Sequence, residues 1–188
     1  TAGEAMPLHL QEAAQSPVPL CIAEHAARGD HAVGLNENKE VTMANVKLGT
    51  KAVGSIVKIK VNGASKDFIV VQQGNPNTST YDSSCNGTWL LMKDIYTPST
   101  FGNNNSYKDS SIHTYLNGMF YNLIDSNIRA AIKQVKIPYQ NGTGSGGSLA
   151  TGSNGLSTKV FLLSGYEVGW TTSDDSDFPV DGAKLDYF

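Results

Sequence analysis

Residues 56–61 read Ile-Val-Lys-Ile-Lys-Val, with Val57, Ile59 and Val61 on one side of an extended chain and Lys58 and Lys60 on the other. Side chains alternate across a strand, so this segment predicts a half-buried β-strand. Asn62-Gly63 follows, and residues 67–72, with Phe68-Ile69-Val70-Val71, predict its hairpin partner across a turn slightly longer than two residues. Trp89-Leu90-Leu91-Met92 predicts a third short strand, and Val135-Lys136-Ile137, just before Pro138, another. Lys159-Val160-Phe161-Leu162-Leu163 reads as the most continuous buried strand of the chain.

Helical spacing is clearest over residues 110–124. Ile112, Tyr115, Leu116, Met119, Phe120, Leu123 and Ile124 recur at three- and four-residue intervals, which places them on one stripe facing a core. Asp109 or Ser110 is placed to cap the helix. Gly118 lies mid-helix, where it costs ~1 kcal/mol and suggests a close neighbour. Asp125 or Ser126 begins a second short helix through Ile128, Ala131, Ile132 and Val135. Two short helices among short strands and long polar loops define an α+β chain.

The first fifty residues differ in character. They are punctuated by Pro7, Pro17 and Pro19, carry His9, His25 and His31, and show no sustained periodicity. Residues 20–28 suggest a short helix stopped by Gly29. Residues 1–52 therefore read as an irregular N-terminal arm that gains order through contact, followed by a domain over 53–188. Residues 1–15 have no basic n-region, so they do not read as a signal peptide. No stretch approaches the ~20 apolar residues of a membrane span.

Composition narrows the partners. Charged residues are only 16% of the 188, and the net charge of -3 argues against a nucleic-acid partner bound through phosphate neutralisation. Gly, Asn, Ser and Thr take the place of charge and favour loops. Two cysteines, Cys21 and Cys85, make neither a disulfide framework nor a zinc site, and free buried thiols are expected. The three early histidines lack the spacing of a helical metal pair. Gly142 to Gly147 has no Lys-Ser or Lys-Thr and no strand-to-helix context, so it reads as a surface loop and not a phosphate cradle. The glycosylation sequons at Asn77, Asn86, Asn104 and Asn141 follow from an Asn/Ser/Thr-rich composition.

Aromatic side chains carry the candidate chemistry. Tyr81, Trp89, Tyr96, Phe101, Tyr107, Tyr166, Trp170, Tyr187 and Phe188 mostly lie among neutral hydrogen-bonding residues, a mixture that suits sugar faces and protein epitopes. Trp89 is expected in the core. Asp174, Asp175, Asp177 and Asp181, near Glu167, form the densest acidic cluster; it reads first as a solvated loop, with calcium as the ion it would suit. Tyr166, Trp170, Asp174, Asp175 and Asp177 are therefore the candidate ligand-binding residues. No metal ligands and no catalytic residues are assigned.

Three stretches carry a family resemblance: residues 81–96, Ser111-Ile-His-Thr-Tyr-Leu-Asn-Gly-Met-Phe120, and Val160-Phe-Leu-Leu-Ser-Gly-Tyr-Glu-Val-Gly169. Residues 53–188 resemble the DUF6273 family, common in gut bacteria and their phages, with the Tyr-Leu-Asn-Gly-x-Phe core its most specific mark. The resemblance implies a C-type-lectin-like or formylglycine-generating-enzyme-like fold with a loop-rich ligand surface. The family pattern continues beyond the Phe178-to-Ala183 segment into an aromatic-rich stretch and a final strand, so the resemblance implies that this closing end is missing here. It further implies a non-enzymatic virion accessory protein: a capsid decoration, head fibre or tail adhesin. Its arm would contact capsid or tail proteins, or trimerise, and its domain would meet a host-surface glycan or protein; a homo-oligomer on the virion surface is expected. The alternative is a secreted or surface-anchored bacterial binding domain. A formylglycine-generating-like enzyme is the remote one, with Cys85 as nucleophile and His113 as base.

Overall fold

The computed structural model describes residues 47–102, 106–141, 147–171 and 180–188, and the backbone of residues 19–22. Its main sheet is antiparallel, with β1 (Pro19–Ile22), β2 (Ile56–Val61), β3 (Ala64–Gln73) and β4 (Thr88–Met92) in the order β1-β4-β3-β2. The predicted alternation in β2 holds: Val57, Ile59 and Val61 are buried between exposed neighbours. The hairpin turn is tighter than expected. Val61 pairs with Ala64, leaving Asn62 and Gly63 alone in the turn at φ 50° and 75°. Positive φ at both central residues matches the twist of the strands they join, and Asn-Gly tolerates it.

Two parts of the expected arm join this framework. Pro19–Ile22 pairs with β4 from Pro19↔Leu91 to Ile22↔Thr88, so its first residues are strand where a helix over 20–28 was expected. β4 is apolar and buried along its length, and its outer edge offers a full ladder to any extended segment. That ladder outweighs a weak local helix preference. Leu48 is also buried in the core, and its carbonyl accepts a hydrogen bond from Gln73 Nε2 at 3.0 Å.

One face of the sheet packs on a continuous helix made of α1 (Ser111–Tyr115), a π-helical stretch (Leu116–Phe120) and α2 (Tyr121–Leu123). Ser110 caps it, its hydroxyl accepting from His113 N at 3.1 Å. Ile112, Leu116, Phe120 and Ile124 are buried beneath β2, β3 and β4. Met119, expected on the same stripe, is instead 66% exposed. The wider turn of a π-helix, closed by i→i+5 bonds, rotates the position three after Leu116 off the buried face. Gly118 has no near neighbour that a Cβ would meet, so the expected close contact is absent and nothing in the structure explains the glycine. The helix end then closes over the outer edge of β2: Asn62 N donates to Leu123 O (2.7 Å) and Asp125 N to Lys60 O (3.0 Å). α3 (Ser126–Arg129), capped by Asp125, is shorter than predicted, and Val135 already belongs to the next strand.

The opposite face carries a second apolar cluster around Trp89, Leu91 and Phe161, under the small pairs β5 (Val135–Ile137) with β8 (Leu156–Thr158) and β6 (Tyr139–Asn141) with β7 (Ser148–Ala150). Residues 159–163 differ from the predicted strand. They form no continuous strand, and side chains take up several of their backbone groups. Asn117 Oδ1 accepts from Lys159 N (2.8 Å) and Val160 N (3.3 Å), its Nδ2 donates to Val160 O (2.9 Å), and Tyr107 Oη accepts from Leu162 N (2.9 Å). Buried backbone polar groups must find partners, and here Asn117 of the helix and Tyr107 of the turn before it supply them.

Candidate functional site

The chain end docks on the sheet through an irregularity. Val70 pairs with Leu90 and Gln72 with Trp89, so Val71 is the extra residue of a β-bulge. Its carbonyl accepts from Tyr187 N at 3.2 Å, and Gln72 Oε1 accepts from Asp186 N at 2.8 Å. Leu185, just before them, is buried in the second cluster. Residues 185–187 thus lie fixed against β3.

A buried acidic group ties this tail to the turn before it. Tyr81 Oη donates to Glu167 Oε1 at 2.6 Å, Ser164 N donates to Glu167 Oε2 at 2.8 Å, and Ala183 N donates to Tyr81 Oη at 3.0 Å. The backbone repeats the tie, Leu185 N donating to Glu167 O at 3.0 Å. Gly182 fits between them; a Cβ there would stand 2.7 Å from Tyr81 Oη and 2.8 Å from Glu167 Cγ. Burial pushes the Glu167 carboxyl up to about 8 against the pull of its hydrogen bonds, and nearby Asp181 raises it further. Asp181 is itself pushed up to about 6 by burial, and its Oδ1 is enclosed without a hydrogen-bond partner. Desolvation, then the Glu167 charge, holds Tyr81 far above the ordinary phenol range, so it stays a donor. The sequence shows Glu167 only as a neighbour of an acidic loop, behind Ser164-Gly165, and carries no mark of its burial.

Outward from this node stand large apolar side chains. Trp170 is 46% exposed at the end of the turn, its N–H bonded to Gly165 O at 2.9 Å. On the tail, Val180, Tyr187 and Phe188 are exposed, and the last two rings meet edge to face at 5.2 Å. Tyr166 is half-buried. Asp174, Asp175 and Asp177 lie outside the described residues, in the stretch that joins Thr171 to Val180. Of the other aromatic candidates, Trp89 is buried as expected and donates from Nε1 to Cys85 O at 3.0 Å; Tyr81 is buried too.

Cys85 and His113 are not brought together as nucleophile and base. The thiol is free, buried and hydrogen-bonded to Lys136 O at 3.2 Å, and burial pushes it up to about 12, away from a reactive thiolate. His113 packs edge-on against Tyr107 at 5.1 Å, and burial lowers its proton affinity. The glycine-rich residues 142–146 lie outside the described residues, and the strands β6 and β7 on either side give them no helix to open. Among the described residues, no cluster of three His, Cys, Asp or Glu side chains is arranged to hold a metal, and no helix is long and apolar enough to cross a membrane.

A mixed α+β domain with small antiparallel sheets and a few short helices is therefore the class of this protein. The chain belongs to the DUF6273 family, a domain of unknown function, whose sequence pattern matches residues 86–188. The match takes in the helix, Asn117, the Glu167 turn and the docked tail. No curated protein and no solved structure matches the chain.

Proposed function

We propose that this is a binding protein and not an enzyme: a C-type-lectin-like domain displayed on a phage virion, as a capsid decoration, head fibre or tail adhesin, that attaches to a host-surface glycan or protein. One observation carries the reading. The turn ending at Trp170 and the tail ending at Phe188 are locked together by the buried Tyr81–Glu167 node, and both turn large apolar side chains to solvent. Rigid rings offer contact area at little entropic cost, which suits them to recognition. Asp174, Asp175 and Asp177 fall between the two stretches in sequence, and calcium is the ion such carboxylates would hold.

A glycan array probed with the purified chain, with and without calcium, tests the reading. Binding to a defined glycan class supports it; no binding in either condition counts against glycan recognition. Attachment to the particle is tested by removing residues 1–18, which leaves β1 and Leu48 in place. Loss of incorporation into virions is expected, and normal incorporation would reject an attachment role for that segment.

A further inference from the structure

Away from the aromatic face, two cations converge on one ring. The Lys159 ammonium lies 4.5 Å from the centroid of Tyr121 and donates to its hydroxyl at 3.2 Å, while the Arg129 guanidinium lies 5.9 Å from the same centroid. The hydroxyl donates in turn to the Arg129 carbonyl at 3.3 Å. The ring is thus fixed at its tip, and it packs against the helix-side core. The Lys159 backbone is fixed as well, since its N–H donates to Asn117, one helical turn before Tyr121.

Neither cation has a carboxylate partner among the described residues. Lys58 answers Asp67 at 2.7 Å, and the nearest acid in sequence to Arg129, Asp125, is occupied in capping α3. A guanidinium has five N–H donors, and the Arg129 side chain uses NH1 on Asn122 Oδ1 at 3.0 Å. Its Nε–H is enclosed with no acceptor. The enclosed Nε is closed to solvent, so any outside acceptor must meet the guanidinium through its terminal N–H groups, of which only NH1 has a named protein partner.

We propose that Arg129 and Lys159, held about Tyr121, form a subsite for a single oxyanion group: a sulfate, phosphate or carboxylate carried by a small molecule or a saccharide. The net charge of -3 works against a long polyanion, whereas one isolated anionic group meets two unpaired cations. The subsite stands independently of what the aromatic face binds.

Titration of the full chain with sodium sulfate, phosphate and acetate at constant ionic strength tests it, followed by NMR at the Arg129 guanidinium and the Lys159 and Val160 amides. The expected result is a saturable shift with at least one anion and an affinity of about millimolar order. Arg129→Gln and Lys159→Gln should each weaken it roughly tenfold or more, as expected for lost charge-assisted bonds. Lys51→Gln, an exposed change of equal charge, should leave it unaltered, and thermal unfolding of each variant confirms its fold. Absence of saturation with all three anions overturns the subsite, and so does an equal loss in Lys51→Gln.

Discussion

Glu167 is a carboxylate that the fold holds where water cannot reach it, with hydrogen bonds from Tyr81 and Ser164 and no cation to balance it among its named neighbours. Its proton affinity is raised in the folded state, and so is that of Asp181. A group of this kind contributes stability that is fully present below its unfolded pKa and is lost as pH rises through the folded one. Stability should therefore fall first as pH rises toward about 6, where Asp181 ionises, and further toward about 8, where Glu167 does. Each tenfold change in proton affinity is worth ~1.4 kcal/mol. Thermal melts from pH 5 to pH 9 should show a decline of several degrees, and Glu167→Gln should flatten its upper part. A melt profile that rises over this range contradicts the assignment. Asn117 is the other residue on which much depends. Its amide oxygen accepts from Thr158, Lys159 and Val160, and its nitrogen donates to His113 O and Val160 O. Asn117→Ala should cost roughly 2–4 kcal/mol in urea denaturation, because it strands buried backbone donors.

At the scale of elements, the β2–β3 hairpin was readable because its period of two is unbroken and Asn-Gly marks the reversal. The turn is shorter than the sequence suggests because Ala64 to Lys66, too polar to read as strand, pairs fully with β2. Gly63→Ala should cost ~1 kcal/mol at its positive φ, while Asn62→Gly should be nearly neutral. Equal losses in chemical denaturation would argue against the two-residue turn. The long helix was legible from its stripe and its serine cap, but not the π-helical stretch that turns Met119 outward, since an α-helical wheel assumes an even advance per residue. Residues 159–163 carry the apolar content of a strand. What the sequence conceals is that Asn117 and Tyr107, more than forty residues earlier, serve as their hydrogen-bonding edge. The bulge at Val71 is equally silent, because one extra residue in a ten-residue strand leaves no mark on its apolar pattern.

At the scale of the molecule, β4 is buried on both faces of the sheet, by the helix on one and by small strands, Phe161, Leu163 and the tail on the other, while β2 leaves one face exposed. The core residues Trp89, Leu116 and Phe120 could be picked from the sequence, while the node that fixes the outward face could not. Tyr81 and Glu167 stand far apart in the chain, and each looks like a loop residue until the tail closes over them. Of the candidate residues, Trp170 occupies the exposed position that recognition requires, Tyr166 is partly withdrawn, and the aspartates fall outside the described residues. The proposed attachment would therefore fall to Trp170 and the tail rings, carried on the base that the Tyr81–Glu167 node holds. Calorimetric titration of a glycan selected from the array, against the native chain and Trp170→Ala, tests this directly. The variant should keep the native melting temperature and bind at least roughly tenfold more weakly, the loss expected when an anchoring aromatic is truncated. An unchanged affinity in a folded Trp170→Ala variant would contradict it.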